Sequence, residues 1–143
     1  MTLSFRYKRV KRANDLEIKS PSIPITLSGT GGRYEFVALL DSGADVSVMS
    51  QEIAELLGLD LSGQKEEANG IGGKVLAIQS KVNLEIKKGH EYYNLILPVK
   101  VILSEQNSEV DIPILLGRAL FFDEFIVTFN QKEGRILLKK NLK

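Results

Sequence analysis

Asp41 is the residue of this chain whose setting most calls for a chemical explanation. It follows without a break on an apolar, strand-like run that includes Phe36, Val37, Leu39 and Leu40, and it is followed by Ser42, Gly43, Ala44 and Asp45. Carboxylates are seldom taken inside a protein without partners, so an acid at the end of an apolar strand needs a reason. Amide hydrolysis supplies one. It requires a group that takes a proton from water and another that gives one to the substrate. Two carboxylates held together do both by sharing a proton, because like charges in contact cannot both ionise and their pKa values separate. Gly43 permits the tight turn that brings backbone up behind the acid, Ser42 offers a hydroxyl to lock the loop, and Ala44 keeps the approach narrow. Asp, Ser and Gly are also common turn formers for purely local reasons, so the tripeptide alone does not separate catalysis from an ordinary turn.

Composition removes most rival chemistries. The 143 residues include no cysteine, which excludes disulfides, thiol nucleophiles and thiolate metal sites. His90 is the only histidine, so neither a serine triad nor a multi-histidine zinc site can be built. It lies in Lys87-Lys88-Gly89-His90-Glu91, a polar turn, where an exposed imidazole is expected. Carboxylates remain as the main acid–base groups, with no metal and no cofactor expected. A net charge of +1 gives no global field toward nucleic acid. No apolar run approaches a membrane span, and no apolar segment follows the charges of the N-terminus as a secretory signal would require. A cytoplasmic protein without membrane or nucleic-acid partners is the expectation.

Short strands must position Asp41. With 43% apolar residues the chain suits one domain over residues 1–143 with a single core. Residues 1–20 form a basic arm in which Leu3, Phe5 and Tyr7 alternate with Ser4, Arg6 and Lys8, the period of a half-buried strand. Its charges suit a solvated edge guarded against aggregation, polybasic binding being the sharper alternative. Strands are predicted over Ile23–Ser28 and Arg33–Leu40, joined at Gly29-Thr30-Gly31-Gly32. A short extended piece, Val46–Met49, precedes a helix of about two turns capped by Ser50, carrying Ile53, Leu56 and Leu57, and stopped by Gly58. Leu76, Ile78, Val82, Leu84 and Ile86 share one face of a long strand, and Leu95, Leu97, Val99, Val101 and Leu103 repeat the pattern. Ser104–Asp111 reads as a polar loop. Ile112–Leu116 reads as a strand buried on both faces, Ala119–Phe122 as a helical turn, and Phe125–Phe129 with Arg135–Lys139 as a closing hairpin before a basic tail, 140–143. Many short strands and little helix indicate a small all-β barrel or sandwich.

At three places the chain resembles the retroviral-type aspartic proteases, the retropepsins, and their single-lobe cellular relatives. Leu40-Asp41-Ser42-Gly43-Ala44-Asp45 resembles the catalytic loop, Gly70-Ile71-Gly72-Gly73 the tip of the flap hairpin, and Ile114-Leu115-Leu116-Gly117-Arg118 the late apolar strand behind the loop. They occur in the family's order, over about residues 22–139. The resemblance implies a small closed β-barrel of the acid-protease type, with one short α-helix and a flap whose tip spans 69–73. It also implies that Asp41 is the catalytic carboxylate, that Ser42, Gly43 and Ala44 support its loop, and that Ser42 bonds across to an opposing loop. Asp45 would touch substrate backbone, and Gly70, Ile71, Gly72 and Gly73 would grip the peptide. An ion pair between Asp45 and Arg118 also makes sense unaided, since an acid beside the site and an arginine ending a buried strand each need a partner. Ala119 stands where retroviral members usually have Asp or Asn, and the closing hairpin resembles the cellular relatives more.

The chemistry needs two aspartates, and the chain carries one such loop: Asp123 lacks the following glycine, and Asp111 precedes Ile112-Pro113. A C2 homodimer would set Asp41 against its own copy and would bind an extended peptide or protein substrate. The leading expectation is therefore an aspartic endopeptidase. Two alternatives stay open: a catalytically inactive module of the same fold that binds peptides or dimerises, and a nucleic-acid-binding β-barrel using the basic arm, against which the absence of tryptophan counts.

Overall fold

The computed structural model describes residues 2–11, 15–70, 73–103 and 112–142. The chain runs β1 (Thr2–Arg6), β2 (Lys8–Lys11), β3 (Glu17–Ser20), β4 (Ser22–Gly29), β5 (Gly32–Leu40), β6 (Ser47–Ser50), α1 (Gln51–Leu56), β7 (Lys65–Gly70), β8 (Gly73–Lys88), β9 (Glu91–Ile102), β10 (Ile114–Leu116), α2 (Phe121–Glu124), β11 (Phe125–Asn130) and β12 (Arg135–Lys140). Six strands form a closed barrel in the order β4-β5-β10-β6-β9-β8. It shuts where β8 returns to β4, with Thr26 opposite Glu85 and Leu27 opposite Leu84. Closure leaves the barrel without free edges. β7 stands outside the ring and pairs with β8 as the second arm of a hairpin, and β12 lies between β1 and β11 in a separate three-stranded sheet. Among the described residues no helix is long and apolar enough to cross a membrane.

Period-two alternation decides what fills the barrel. Ile23, Ile25 and Leu27 of β4, Val82, Leu84 and Ile86 of β8, and Leu97, Val99 and Val101 of β9 are buried. Leu3 and Phe5 of β1 join the same core with Ile136 and Leu138 of β12. Phe121 and Phe125 anchor the junction between α2 and β11, their ring centroids 5.2 Å apart, and Tyr93 meets Phe125 edge-on at 5.3 Å.

Several elements differ from the sequence reading. The basic arm is three strands, and β1 spends its apolar residues on β12, pairing Thr2 with Lys139 through to Arg6 with Arg135. In α1 the buried positions are Ala54 and the C-cap Leu57, whereas Leu56 is exposed; Gly58, at φ +66°, ends the helix as anticipated. Leu76 is exposed as well, because β8 has there left the barrel to pair with β7. The late apolar run is a strand only over Ile114–Leu116, and Leu115 is half-buried rather than enclosed on both faces. α2 starts two residues later than anticipated, since the backbone N–H groups of Arg118 and Ala119 are bonded to the carbonyls of Ala44 and Asp45. Lys140, taken as tail, ends β12 and its ammonium meets the Glu124 carboxylate. Ser104–Asp111 and the hairpin tip at Ile71 and Gly72 lie outside the described residues.

The barrel closure carries a polar clamp. Arg33 of β5 reaches over β4 to Glu85 of β8, its Nη2 2.5 Å and its Nε 2.8 Å from Oε2, while the Tyr92 hydroxyl donates to Oε1 at 2.7 Å. The Glu85 side chain is only 12% exposed. The Tyr92 bond and then the Arg33 bond hold its carboxyl below the usual range, against an opposing effect of burial. A depressed folded-state pKa contributes stability that is complete above the ordinary value near 4.5 and is lost as pH falls through the folded value. Glu85→Gln is therefore expected to lower Tm at pH 7 by about 2–4 °C, with the difference from the parent shrinking steadily as pH drops below the ordinary carboxylate range. Thermal melts across pH check this; a deficit that stays constant or grows in acid would contradict it.

Candidate active site

Asp41 follows directly on β5, which β10 runs alongside in parallel, Leu39 opposite Leu115 and Leu40 opposite Leu116. Its own N–H continues the ladder to the Leu116 carbonyl at 3.0 Å. The acid is therefore fixed at its backbone by a central strand. The carboxylate is half-buried, and its Oδ1 accepts the Gly43 N–H at 2.9 Å. A Cβ on Gly43 would stand 3.2 Å from that same oxygen, so the residue that donates the bond is also the one that leaves it room. Among the described residues Oδ2 has no hydrogen-bond partner, nor does the exposed Ser42 hydroxyl.

The loop is stitched to the segment after β10. The N–H of Arg118 donates to the Ala44 carbonyl and that of Ala119 to the Asp45 carbonyl, each at 2.8 Å. The Gly117 N–H donates to the buried Ser47 hydroxyl at 3.0 Å. Arg118 then turns its side chain back, Nη1 to the Ser42 carbonyl at 2.7 Å and Nη2 to the Asp45 carboxylate. Asp45 and Arg118 thus meet, but outside: their side chains are 82% and 52% exposed. Gly117 lies too close to the loop backbone to carry a side chain. A Cβ there would stand 2.5 Å from the carbonyl carbon and oxygen of Val46 and 2.9 Å from the Ala44 oxygen. Just beyond, Leu120 sits at φ +67° and ψ −51° with the Phe121 N–H bonded to the Ala119 carbonyl at 2.8 Å, the strained form of the γ-turn. The Asp123 carboxylate holds it by accepting the Leu120 N–H at 3.2 Å.

Sequence patterning missed the apolar surface beside the acid. Leu39, Val48 and Leu115 lie opposite one another on β5, β6 and β10 and all three are half-buried. Of the three, Leu115 reads in sequence as buried on both faces; the available signal for all of them is alternation with the buried Leu40, Met49 and Leu116. Gly70 and Gly73 pair at the end of the β7–β8 hairpin. At the base of that hairpin an apolar cavity of about 410 Å³ is lined by Leu61, Val75, Leu76, Ile78 and Leu103, with Gln51 and Lys65 also on its wall.

An acid at the end of a closed barrel's central strand pair, with glycine behind it and a Gly-Arg segment bonded beneath, invites comparison with known hydrolases. A family model described as aspartyl protease matches residues 23–120. The chain belongs to the aspartyl protease family. Its fold is similar to that of the EIAV protease complexed with the inhibitor HBY-793, at 27% identity and a TM-score of 0.51 over 73% of this chain and 88% of that one. It is similar also to a retropepsin-like aspartic protease from Rickettsia conorii, at 14% identity and 0.55 over 96% and 98% of the two chains. The retroviral protease-like domain of Ddi1 from Leishmania major shares the fold at 14% identity and 0.54 over 87% and 96%. No curated protein matches. The family model spans the Asp41 loop, the hairpin and the Gly117-Arg118 segment, so all three motifs fall within the matched region.

Two substitutions rank the forces that hold this aspartyl-protease loop. Gly117→Ala would push side-chain volume into backbone that has nowhere to go, at about 2–3 kcal/mol. Arg118→Ala removes an exposed pair and one charge-assisted bond, at about 1 kcal/mol. Urea unfolding of both variants measures the ranking; equal losses, or a larger one for Arg118→Ala, would contradict it.

Proposed function

We propose that this chain is an aspartic endopeptidase of the retropepsin type, hydrolysing peptide bonds with a water activated between the Asp41 carboxylates of two copies. The observation that carries this reading is the half-finished state of the Asp41 loop. One carboxylate oxygen is held by Gly43, the other has no partner among the described residues, and the only Asp-Ser-Gly of the chain supplies one acid where the reaction needs two. Membership of the aspartyl protease family supports it.

In the dimer each Asp41 places its free oxygen toward the twofold axis, one acid protonated and the other ionised. The ionised member takes the proton from water as it attacks the peptide carbonyl, and the protonated member gives its proton to the carbonyl oxygen. Ser42, whose hydroxyl is unpartnered within the described chain, bonds to the opposing loop and keeps the two acids in register. Leu39, Val48 and Leu115 line the adjacent wall for apolar side chains. Asp45 bonds substrate backbone, and Gly70, Ile71, Gly72 and Gly73 close over the peptide, an extended strand read by main-chain bonds and alternate pockets. The surface offered to the second copy is β11. Its outer edge is unpaired among the described residues, it carries no charge, and Ile126 and Phe129 are exposed on it, whereas β1 and β2 are guarded by arginine and lysine.

Asp41→Asn keeps the shape of the loop and removes the shared proton. Incubated with a peptide library between pH 4 and 7, it is expected to lose turnover by roughly 10²–10⁴-fold while Tm and oligomeric state match the parent. Cleavage undiminished in the variant would remove Asp41 from the mechanism. Peptides bound but left intact by the parent protein would favour a module of this fold without catalysis.

A further inference from the structure

Far along the chain from the Asp41 loop, the strands at the two ends of the sequence gather cations around a concavity. A cavity of about 250 Å³ is lined by Arg6, Tyr7, Arg9, Lys19, Glu133, Gly134 and Arg135, none of them a residue of the candidate active site. The backbone builds it deliberately: the Tyr7 N–H donates to the Gly134 carbonyl at 2.7 Å, tying the exit of β1 to the turn between β11 and β12. Gly134 is buried at φ +64°, and Lys19 Nζ comes within 3.9 Å of where a Cβ there would stand.

The register makes the charge costly. Arg6 lies directly opposite Arg135 in the β1–β12 ladder, and like charges in that relation destabilise a sheet. Relief within the chain is slight. Arg135 donates to the neutral Ser4 hydroxyl at 3.1 Å, and Arg9 meets Glu17 only at 3.6 Å with both side chains exposed. Among the described residues Arg6 and Lys19 have no acidic partner. The lining thus holds four cations against the single carboxylate of Glu133, in a protein whose whole net charge is +1. Three guanidinium groups and an ammonium around one cavity suit phosphate oxygens, which arginine binds in bidentate fashion. Among the lining residues cations exceed carboxylates by three, more than the roughly −1.5 to −2 charges of a lone phosphate monoester.

We propose that this cavity between β1, β2, β3 and the β11–β12 turn is a binding site for a diphosphate group, free or carried on a nucleotide. The ligand offsets the Arg6–Arg135 repulsion and locks the terminal strands together.

The test is calorimetric titration of the full chain at fixed low ionic strength with pyrophosphate, ADP, inorganic phosphate and a single-stranded oligonucleotide. Pyrophosphate is expected to bind one per chain, roughly tenfold tighter than phosphate, and Arg6→Gln and Arg135→Gln are each expected to weaken it roughly tenfold. ADP binding more tightly than pyrophosphate would identify a nucleotide as the source of the diphosphate; weaker ADP binding would identify the free anion. Without ligand, Arg6→Gln should raise Tm by about 1–3 °C, the direction expected when the Arg6–Arg135 repulsion is relieved. Pyrophosphate affinity no better than that of phosphate, or unchanged in both arginine variants, would overturn the proposal. So would oligonucleotide binding that exceeds pyrophosphate binding and is lost with Lys8→Gln and Lys11→Gln, since those residues lie on β2 outside the cavity lining.

Discussion

The backbone bond from Asp41 to Leu116 is the constraint on which the rest of this structure depends. It requires β10 to run beside β5, in parallel, although some seventy residues separate them in sequence (Leu39 and Leu115 are partners). Parallel neighbours need a long crossover, and the intervening β6, α1 and the β8–β9 ribbon supply it while closing the barrel. Once β10 is in place, the next three residues have little freedom. Gly117 must be glycine because the loop's own backbone occupies its side-chain space. Arg118 and Ala119 spend their N–H groups on the loop, which delays α2 and throws the turn at Leu120 into a strained conformation. The loop therefore owes its geometry mainly to main-chain bonds, with the exposed Asp45–Arg118 pair as a lesser brace.

Much of this was legible in the sequence, for physical reasons that can be named. Asp41 announced itself because a charge at the end of Phe36–Leu40 conflicts with the pattern around it, and such conflicts mark function. The strands were legible wherever one side faces the barrel interior and the other carries polar groups, as in Val82–Ile86 against Asn83 and Glu85. Pairing was legible for the two short hairpins, β4–β5 and β11–β12, but not for strands distant in sequence. Nothing local in Leu3-Ser4-Phe5 says that its partner is Leu137, and nothing in Leu27 names Leu84; such contacts depend on the closed topology. Where alternation was misread, the cause was a change of environment within one element. Leu76 belongs to the same strand as Ile86 but lies on the hairpin arm, and Leu115 shares β10 with Leu116 but lines the open side. In α1 the small Ala54 took the buried place that hydrophobicity alone assigned to Leu56.

Two features otherwise unrelated share one logic. The uncharged edge of β11 and the facing arginines of β1 and β12 both leave something unfinished within a single chain: an open strand edge in one case, an unbalanced charge in the other. Natural sheets usually suppress both, with charge on edges and opposite signs across strands. The proposed functions account for them by what each surface receives, a second copy on β11 and an anion between β1 and β12. The half-occupied Asp41 carboxylate belongs to the same class of observation.

The central claim is that one chain carries half of a catalytic centre, so catalysis must scale with assembly. The direct measurement is specific peptide-cleaving activity against total protomer concentration, followed from well below to well above the range in which sedimentation detects a dimer. The account predicts specific activity that rises with protomer concentration, tracks the dimer fraction and then levels off. Constant specific activity in a protein that sediments as a monomer throughout would contradict it.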